Sequence, residues 1–556
     1  MQKTVTPLRM PHFLAGIPHS LADLPHSLAR IPIPLARLAA LPLCCQLLFC
    51  YQPASGQGNP PAASFNNAYK PPLFRDSSRL RKMAAAYPAI DKIYRDWAAK
   101  NHFPGLAYGI VADGQLIYSG NIGFTELSGK KPVRSNSLFR IASMTKSFTA
   151  MAILKLRDQG RLSLEDPVYK YIPEIRKMPR LTADAPAITI RNLMTHSAGF
   201  PEDNPWGDRQ LANTDEELIR LIEKGVSFSN APGVSYEYSN LGFALLGRIV
   251  SVVSGEPYQK YITKNILEPL GMRHTIWEYT QAPPDLLAHG YRWQNGKWDE
   301  EPLLHDGSYG AMGGLITSID DFSRYVALHI AAWPPRSEED KGPLKRSSLR
   351  EMHQPHTFSN LNTSFRYPDG RTCPIVNFYD YGLGWTRDCE GRVYVGHSGG
   401  LPGFGSQWRF MPEYGIGVIA LANLTYAGLG TSNLAVLDTL IAIAGLQPRQ
   451  LPPSDILDKR KDQLVQLLPE WSGAATSGIF AVNFFKDYSV DSLRKICKGL
   501  YEKAGRIKSV GSVQPENQMR GEFILEGEKA DIHVFFTLTP ENPPLIQQIN
   551  FRESMH

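Results

Sequence analysis

The sequence is poor in the features that mark several protein classes. It has no Gly-rich phosphate loop leading into a helix and no His/Cys cluster at zinc spacing, so no cofactor, nucleotide or metal is implied. It has no Lys/Arg block with interleaved aromatics, and a formal net charge of +6 is small for 556 residues. Nucleic acid is therefore not an expected partner. Cysteine is scarce. Of 6, Cys44, Cys45 and Cys50 fall in an N-terminal apolar stretch, which leaves Cys373, Cys389 and Cys497. Cys373 and Cys389 can pair in an oxidising compartment or stand as thiols, because sequence does not fix their geometry. The apolar run Leu38–Cys50 is too short to span a bilayer as a stable helix.

What remains is an ordinary globular composition, 43% apolar and 20% charged, in a chain long enough for two or more domains. A seven-residue unit repeats over residues 17–37, as Ile17–Asp23, Leu24–Arg30 and Ile31–Arg37, with too many prolines for a regular helix. Arg37 leads into the apolar run, which has the length of a signal-peptide core, and Ala54-Ser55-Gly56 offers small residues for cleavage. The reading is export to the periplasm or the extracellular space. Anchoring at Cys50, or membrane association of this segment, is the alternative. Residues 1–56 thus read as signal and low-complexity sequence, and 57–81 as a Pro- and Asn-rich linker. Residues 82–447 form the main domain, 448–469 a second linker marked by Pro448 to Pro453, and 470–556 a small accessory domain.

Within the main domain, strand patterns lie at both ends and helical patterns between them. Gly105–Gly120 reads as a hairpin across Asp113-Gly114. Residues 161–300 are rich in helix, with Thr214 and, later, Ser318 as caps. Short strands recur at 381–385, 392–396, 405–410 and 417–422, ahead of an apolar helix at 432–444. The fold class is α/β in the α+β sense: one antiparallel sheet assembled from both ends, flanked by helices, with a helical region inserted. The tail adds a helix at 490–504 and three strand-like runs, a small α+β unit of cystatin-like or NTF2-like pattern.

The chemistry centres on Ser143-Met144-Thr145-Lys146. Phe148, Met151, Ala152 and Leu156 recur near helical spacing, and Gly160 stops the helix. Ser143 is expected in the first turn, where free N–H groups favour negative charge, with Lys146 on the same face. A lysine with a lowered pKa can take a serine proton. The same spacing occurs at Ser128…Lys131 and Ser492…Lys495, and alone it describes a capping serine with a surface lysine. Two further stretches set Ser143 apart. In Tyr238-Ser239-Asn240, a tyrosine beside a cationic lysine can have a depressed pKa and shuttle protons. Asn240 offers donor and acceptor to a substrate amide. Taken alone, this stretch is an N-cap asparagine and a packed tyrosine. In Val395–Gly400, the glycines Gly399 and Gly400 admit a substrate backbone, and His397 can bind a carboxylate or an oxyanion-side group, or, taken alone, serve as a structural histidine. Gly396-His-Ser-Gly-Gly400 also matches the nucleophile elbow, with Ser398 as nucleophile. Its turn leads to another strand rather than a helix, and only His533 and His556 follow.

In order, Ser-x-x-Lys, Tyr-x-Asn and His-x-Gly resemble the serine β-lactamase-like and penicillin-binding-protein-like family. The likeness is to its class C branch, with D-aminopeptidases, DD-peptidases and esterases. Leu164–Pro173, Leu193–Gly199, Glu268–Met272 and Gly313–Ser318 look like further landmarks, and the likeness covers residues 85–446. The resemblance implies a β-lactamase/transpeptidase-like fold with Ser143 as the acylated nucleophile. It implies Lys146 and Tyr238 as the proton relay, and Asn240, His397, Gly399 and Gly400 as substrate-binding residues. The backbone N–H groups of Ser143 and Gly400 would form the oxyanion hole. The lactamase form of the third motif is Lys-Thr-Gly. His397 replaces that fixed cation with one expected to titrate near neutrality, which counts against efficient β-lactam hydrolysis.

The expectation is an exported serine hydrolase that works through an acyl-enzyme on an amide or ester. Its substrate would be a small molecule or peptide, either a D-amino-acid peptide or a small ester. The alternatives are a β-lactamase and a non-catalytic peptidoglycan- or penicillin-binding protein. Sequence leaves the oligomeric state open.

Overall fold

The computed structural model describes residues 69–556, so the repeat, the signal-like run and the first three cysteines lie outside the described residues. Helix α1 (Tyr87–Lys100) buries Ile90, Tyr94 and Ala98. Strands β1 (Gly105–Ala112) and β2 (Gln115–Glu126) form the expected hairpin. It turns through Asp113 and Gly114 at φ 49° and 78°, the left-handed pair that such a tight turn requires. β3 (Lys131–Pro132) extends it.

The other strands of this sheet come from the far end of the domain. They are β4 (Thr357–Asn362), β5 (Ile375–Tyr379), β6 (Gly384–Asp388), β7 (Val393–Leu401), β8 (Phe404–Met411) and β9 (Ile416–Ala422). The order is β3-β2-β1-β9-β8-β7-β6-β5-β4, antiparallel throughout. The two chain ends meet where Tyr108 lies opposite Ala420. The sequence pattern misses β4, whose polar run Thr-Phe-Ser-Asn-Leu-Asn is mostly exposed at the sheet edge.

All eight residues of β1 are buried, because helices cover both faces of the sheet. Ala107 and Val111 join one core with Ile319, Phe322 and Leu421. Leu106, Tyr108 and Ile110 join another with Ile90, Tyr94 and Leu437. The alternation of side chains along a strand sorts neighbours into two separate cores. Helix α2 (Lys146–Asp158) runs through the first core. An amphipathic helix was the expectation, yet every residue from Lys146 to Leu154 is buried. The reason is position: α3 (Asn240–Ser254) packs directly on α2, and α4 (Ile319–Ala331) lies across β1 and β9. A helix enclosed on all sides has no solvent face to show. α5 (Gly430–Ala444) packs with α1 on the opposite face.

The tail has its own core, containing Leu457, Leu464, Trp471, Cys497, Phe523, Val534 and Phe536. It comprises α6 (Asp455–Val465), α7 (Val490–Ala504) and strands β10 (Ile507–Val510), β11 (Gln514–Asn517), β12 (Arg520–Gly527), β13 (Ala530–Leu538) and β14 (Ile546–Met555). α6 falls in the stretch read as a second linker. Ser454 caps it, and its Leu457 and Leu464 are fully buried, so the tail unit begins before residue 470. Cys373 and Cys389 are disulfide-bonded, with Cα atoms 5.8 Å apart, and Cys497 is a buried thiol. Among the described residues no helix is long and apolar enough to cross a membrane.

Candidate functional site

Ser143 sits in a single 3₁₀ turn, Ala142–Thr145, just ahead of α2 rather than in the first α-helical turn. Ala142 adopts φ 49°, an uncommon left-handed conformation for a residue with a Cβ. Two contacts hold this backbone from either side. Ile141 N–H donates to the Leu315 carbonyl at 2.9 Å, and Ser406 Oγ donates to the Ile141 carbonyl at 2.7 Å. Ser143 is 7% exposed at the floor of a cleft.

Lys146 is completely buried. Its Nζ lies 2.9 Å from Ser143 Oγ, 2.7 Å from Asn240 Oδ1 and 3.0 Å from the Met312 carbonyl. An ammonium has three N–H donors, and these are three acceptors. Burial nevertheless pulls the Lys146 pKa down to about 7, against the opposing pull of Asp208 and Asp203. When Lys146 loses a proton, two N–H groups still satisfy Asn240 and Met312. The freed lone pair then faces the Ser143 hydroxyl. This is the geometry of a general base.

Tyr238 places its ring 4.9 Å from Lys146 Nζ. Its pKa is not depressed, as the sequence suggested, but raised well above 10 by burial, with a hydrogen bond from Ser143 only partly opposing the rise. Tyr238 is therefore a neutral phenol, able to donate and to pass a proton, and Lys146 is the group tuned toward neutrality.

Asn240 also differs from expectation. Ser239, not Asn240, caps α3, its Oγ accepting from Gly242 N–H. Asn240 is fully buried, with Oδ1 on Lys146 and Nδ2 donating to Asn204 Oδ1 at 2.6 Å. It holds Lys146, and Asn204 beside it lines the cleft. Asp203 fixes the start of α3, accepting from the Asn240 and Leu241 N–H groups at 2.7 and 2.9 Å.

His397 Nδ1 lies 2.5 Å from the Ser398 carbonyl, so it carries the proton and donates. Its Nε2 then accepts from the Tyr379 hydroxyl at 2.9 Å. Burial, followed by the Lys146 charge, lowers its pKa to about 3. His397 is thus a neutral side chain, which corrects the expectation of a cation titrating near neutrality. Gly399 is buried away from the cleft. A Cβ there would lie 2.2 Å from the Ile141 carbonyl, so this glycine lets β7 press against the Ser143 turn. Gly400 does line the cleft with Ser143. Ser398 is exposed in mid-strand and presents the His397 ring with its carbonyl, not its hydroxyl, so no elbow forms.

Pairing of β6 with β7 ends at Gly384 and Gly396, which leaves the strand edge from His397 to Leu401 without a neighbour on that side. The cleft, a cavity of about 480 Å³, runs along this edge. Several of its residues carry no motif: Asn204, Asp208, Tyr236, Tyr379 and Tyr426. Asp208 accepts from Tyr426 at 3.2 Å, and burial lifts its pKa to about 6. His196, in the Leu193–Gly199 landmark, accepts from Ser239 N–H at 3.1 Å and packs between the Tyr238 and Tyr379 rings. Among the described residues, no three His, Cys, Asp or Glu side chains are grouped to hold a metal.

Comparison with known proteins gives a family model described as Beta-lactamase, matching residues 86–441. "Protein flp" of Staphylococcus aureus (strain N315) is 30% identical over 342 residues, covering 60% of this chain and 62% of that protein. The chain thus spans about three fifths of that relative's length. The octameric penicillin-binding protein homologue from Pyrococcus abyssi is 23% identical, with a TM-score of 0.53 over 84% of this chain and 96% of its own. A class C beta-lactamase is 22% identical, with a TM-score of 0.51 over 66% and 98%. These two structures share the fold.

Proposed function

The chain belongs to the beta-lactamase family, and from that premise we propose that it is a serine hydrolase working through an acyl-enzyme on an amide or ester. The observation that carries the reading is the buried Lys146 amine, 2.9 Å from Ser143 Oγ with a pKa near 7. Neutral Lys146 accepts the Ser143 proton as Oγ bonds to the substrate carbonyl carbon. The carbonyl oxygen becomes an oxyanion, for which the N–H groups of Ser143 and Gly400 are the proposed donors, each worth about 3 kcal/mol in the transition state. When the tetrahedral species collapses, the leaving alcohol or amine takes a proton from the Lys146 ammonium, with the Tyr238 phenol as relay. Water then attacks the acyl carbon, gives its proton to the same pair, and frees Ser143.

A D-amino-acid peptide or a small ester is the proposed substrate. A neutral His397 stands where the lactamase pattern has a lysine, so nothing in the third motif supplies a cation for a drug carboxylate. Export is part of the proposal, and the Cys373–Cys389 disulfide supports an oxidising compartment.

Intact-protein mass after exposure to a fluorophosphonate, and separately to a penicillin, tests the reading in wild type and Ser143→Ala. A fluorophosphonate adduct on wild type alone is expected. A lasting penicilloyl adduct would mark a penicillin-binding peptidase. Equal labelling of the variant would overturn the assignment of Ser143.

A further inference from the structure

One contact that the mechanism does not use crosses the Ser143 cleft. The two sides of the cleft come from different parts of the chain. On one side stands the Lys146–Asn240 pair at the start of α3. The 3₁₀ turn Gly207–Arg209 packs on it so closely that a Cβ at Gly207 would lie 2.7 Å from Asn240 Cβ. Asp208 of this turn accepts from Asn240 Nδ2 at 3.4 Å. On the other side runs β7, and the Tyr426 ring lies over Gly400, where a Cβ would meet Tyr426 Cδ1 at 2.7 Å. The Tyr426 hydroxyl donates to Asp208 at 3.2 Å, so the two sides are joined. Ser143, Gly400, Asp208 and Tyr426 all line the same cavity.

The backbone on which Tyr426 stands is fixed. Tyr426 adopts φ 53°, a left-handed conformation that is costly for a residue with a Cβ. Its N–H donates to the Phe404 carbonyl at 3.1 Å. The preceding Thr425 Oγ1 accepts from Gly403 N–H at 2.7 Å and donates to the Tyr291 carbonyl at 3.1 Å. Tyr426 is still 41% exposed, so its ring forms the rim of the cleft and not its floor.

The proton relay decides which part of a substrate meets this bridge. The leaving group takes its proton from the Lys146–Tyr238 pair. The Tyr238 ring is flanked by those of Tyr379 and His397, with centroids 6.2 and 6.3 Å away. His397 begins the exposed edge of β7, and Gly400 lies toward its end. The leaving group therefore departs toward His397, and the acyl chain extends the other way, past Gly400 to Tyr426 and Asp208.

We propose that the Asp208–Tyr426 hydrogen bond closes the acyl end of the cleft and restricts turnover to esters and amides with short acyl groups. This rests on the serine hydrolase reading and adds the size of the acyl group to it. The leaving-group end has no such bridge and tolerates larger groups.

Two ester series test the closure. The 4-nitrophenyl esters from acetate to octanoate vary the acyl chain, and phenyl, 2-naphthyl and 4-biphenylyl acetates vary the leaving group. For wild type, kcat/KM should fall steeply between butyrate and octanoate. Tyr426→Gly suits the left-handed backbone and removes the ring, so it should raise the octanoate-to-butyrate ratio by roughly 10-fold or more. Tyr426→Phe keeps the ring without the hydrogen bond and should raise the ratio less. Asp208→Asn can still accept from Tyr426 and should keep the wild-type ratio. The ranking of leaving groups should stay the same in all of them. Alkylboronic acids bond to Ser143 Oγ with the alkyl chain in the acyl position, and they repeat the test without turnover. Relative to ethylboronic acid, octylboronic acid should protect Tyr426→Gly from fluorophosphonate labelling better than it protects wild type. A flat acyl profile in wild type, or one that Tyr426→Gly leaves unchanged, would overturn the closure. Absence of fluorophosphonate labelling would instead overturn the serine hydrolase reading, so the two failures are distinguishable. Thermal melting of each variant confirms folding, and Tyr426→Phe, which keeps the packing over Gly400, covers a destabilised Tyr426→Gly.

Discussion

The sequence contains Ser-x-x-Lys in the main body and again in the tail, and the two copies have opposite fates. In the main body, Lys146 is buried, its amine rests on Ser143, and burial brings its pKa to about 7. In the tail, Ser492 and Lys495 are both exposed on α7, and Ser492 engages Ser489 rather than the lysine, its N–H donating to Ser489 Oγ and its own Oγ accepting from it. A third copy, Ser128 and Lys131, is drawn to one carboxylate: both side chains sit 2.6 Å from Glu126. Three residues of separation bring a serine and a lysine together, but only desolvation turns the lysine into a base. The chemistry lies in the enclosure of α2, not in the motif.

The sharpest way to break this contrast is substitution in parallel. Ser143→Ala and Lys146→Met should each lower kcat/KM for a small ester by about 10⁴-fold or more. Ser492→Ala and Lys495→Met should leave it within about twofold, since surface changes away from such features have little effect. Loss of activity in the tail variants, measured by initial rates on folded protein, would contradict the contrast outright.

A pH profile sharpens it further. On the proposed mechanism the reactive form of Lys146 is the neutral amine, so kcat/KM should fall about tenfold per pH unit below roughly 7 and level off above it. No alkaline loss should follow from Tyr238, whose ionisation burial pushes well above 10. Asn240→Ala then separates two roles. Removing Oδ1 deprives the Lys146 ammonium of an acceptor, so the acid limb should move to lower pH by about one unit. If Asn240 serves chiefly to bind substrate, KM rises and the limb stays in place.

Much of the architecture was legible from local signals. The Asp113-Gly114 turn, the Thr214 and Ser318 caps, and strands at both ends of the domain all follow from residue chemistry, and each is present. Ser143, Lys146 and Tyr238 converge as their motifs suggested. What local pattern could not give was electrostatics set by enclosure. His397 and Tyr238 are polar residues whose protonation depends on burial by distant segments, and both expectations about them were reversed. Asn204, Asp208 and Tyr426 carry no motif and gain their place through loop packing. α6 was hidden because the prolines ahead of Ser454 mimic a linker.

The smallest expected effect concerns stability. His329 and His353 are buried in the main body, their Nδ1 and Nε2 atoms 2.7 Å apart. Trp333 donates to His353 Nδ1 at 2.9 Å, so His353 Nε2 carries its proton and donates to His329. Both pKa values are lowered by burial, His329 to about 3. The unfolded chain therefore binds more protons than the folded one from about pH 6.5 downward, and this contribution to stability shrinks as pH falls toward the folded values. Asp208 and Asp306, raised to about 6 by burial, act in the opposite direction, so the raw pH dependence mixes the two. His353→Gln isolates the histidine, because glutamine can still accept from Trp333 and donate to His329. Between pH 6.5 and 5, denaturant unfolding should show wild type losing about 1 kcal/mol more per pH unit than the variant, since the unfolded imidazole is only half protonated at the upper end. Parallel slopes for wild type and His353→Gln would mean that the pair tolerates a charge where the packing says it cannot.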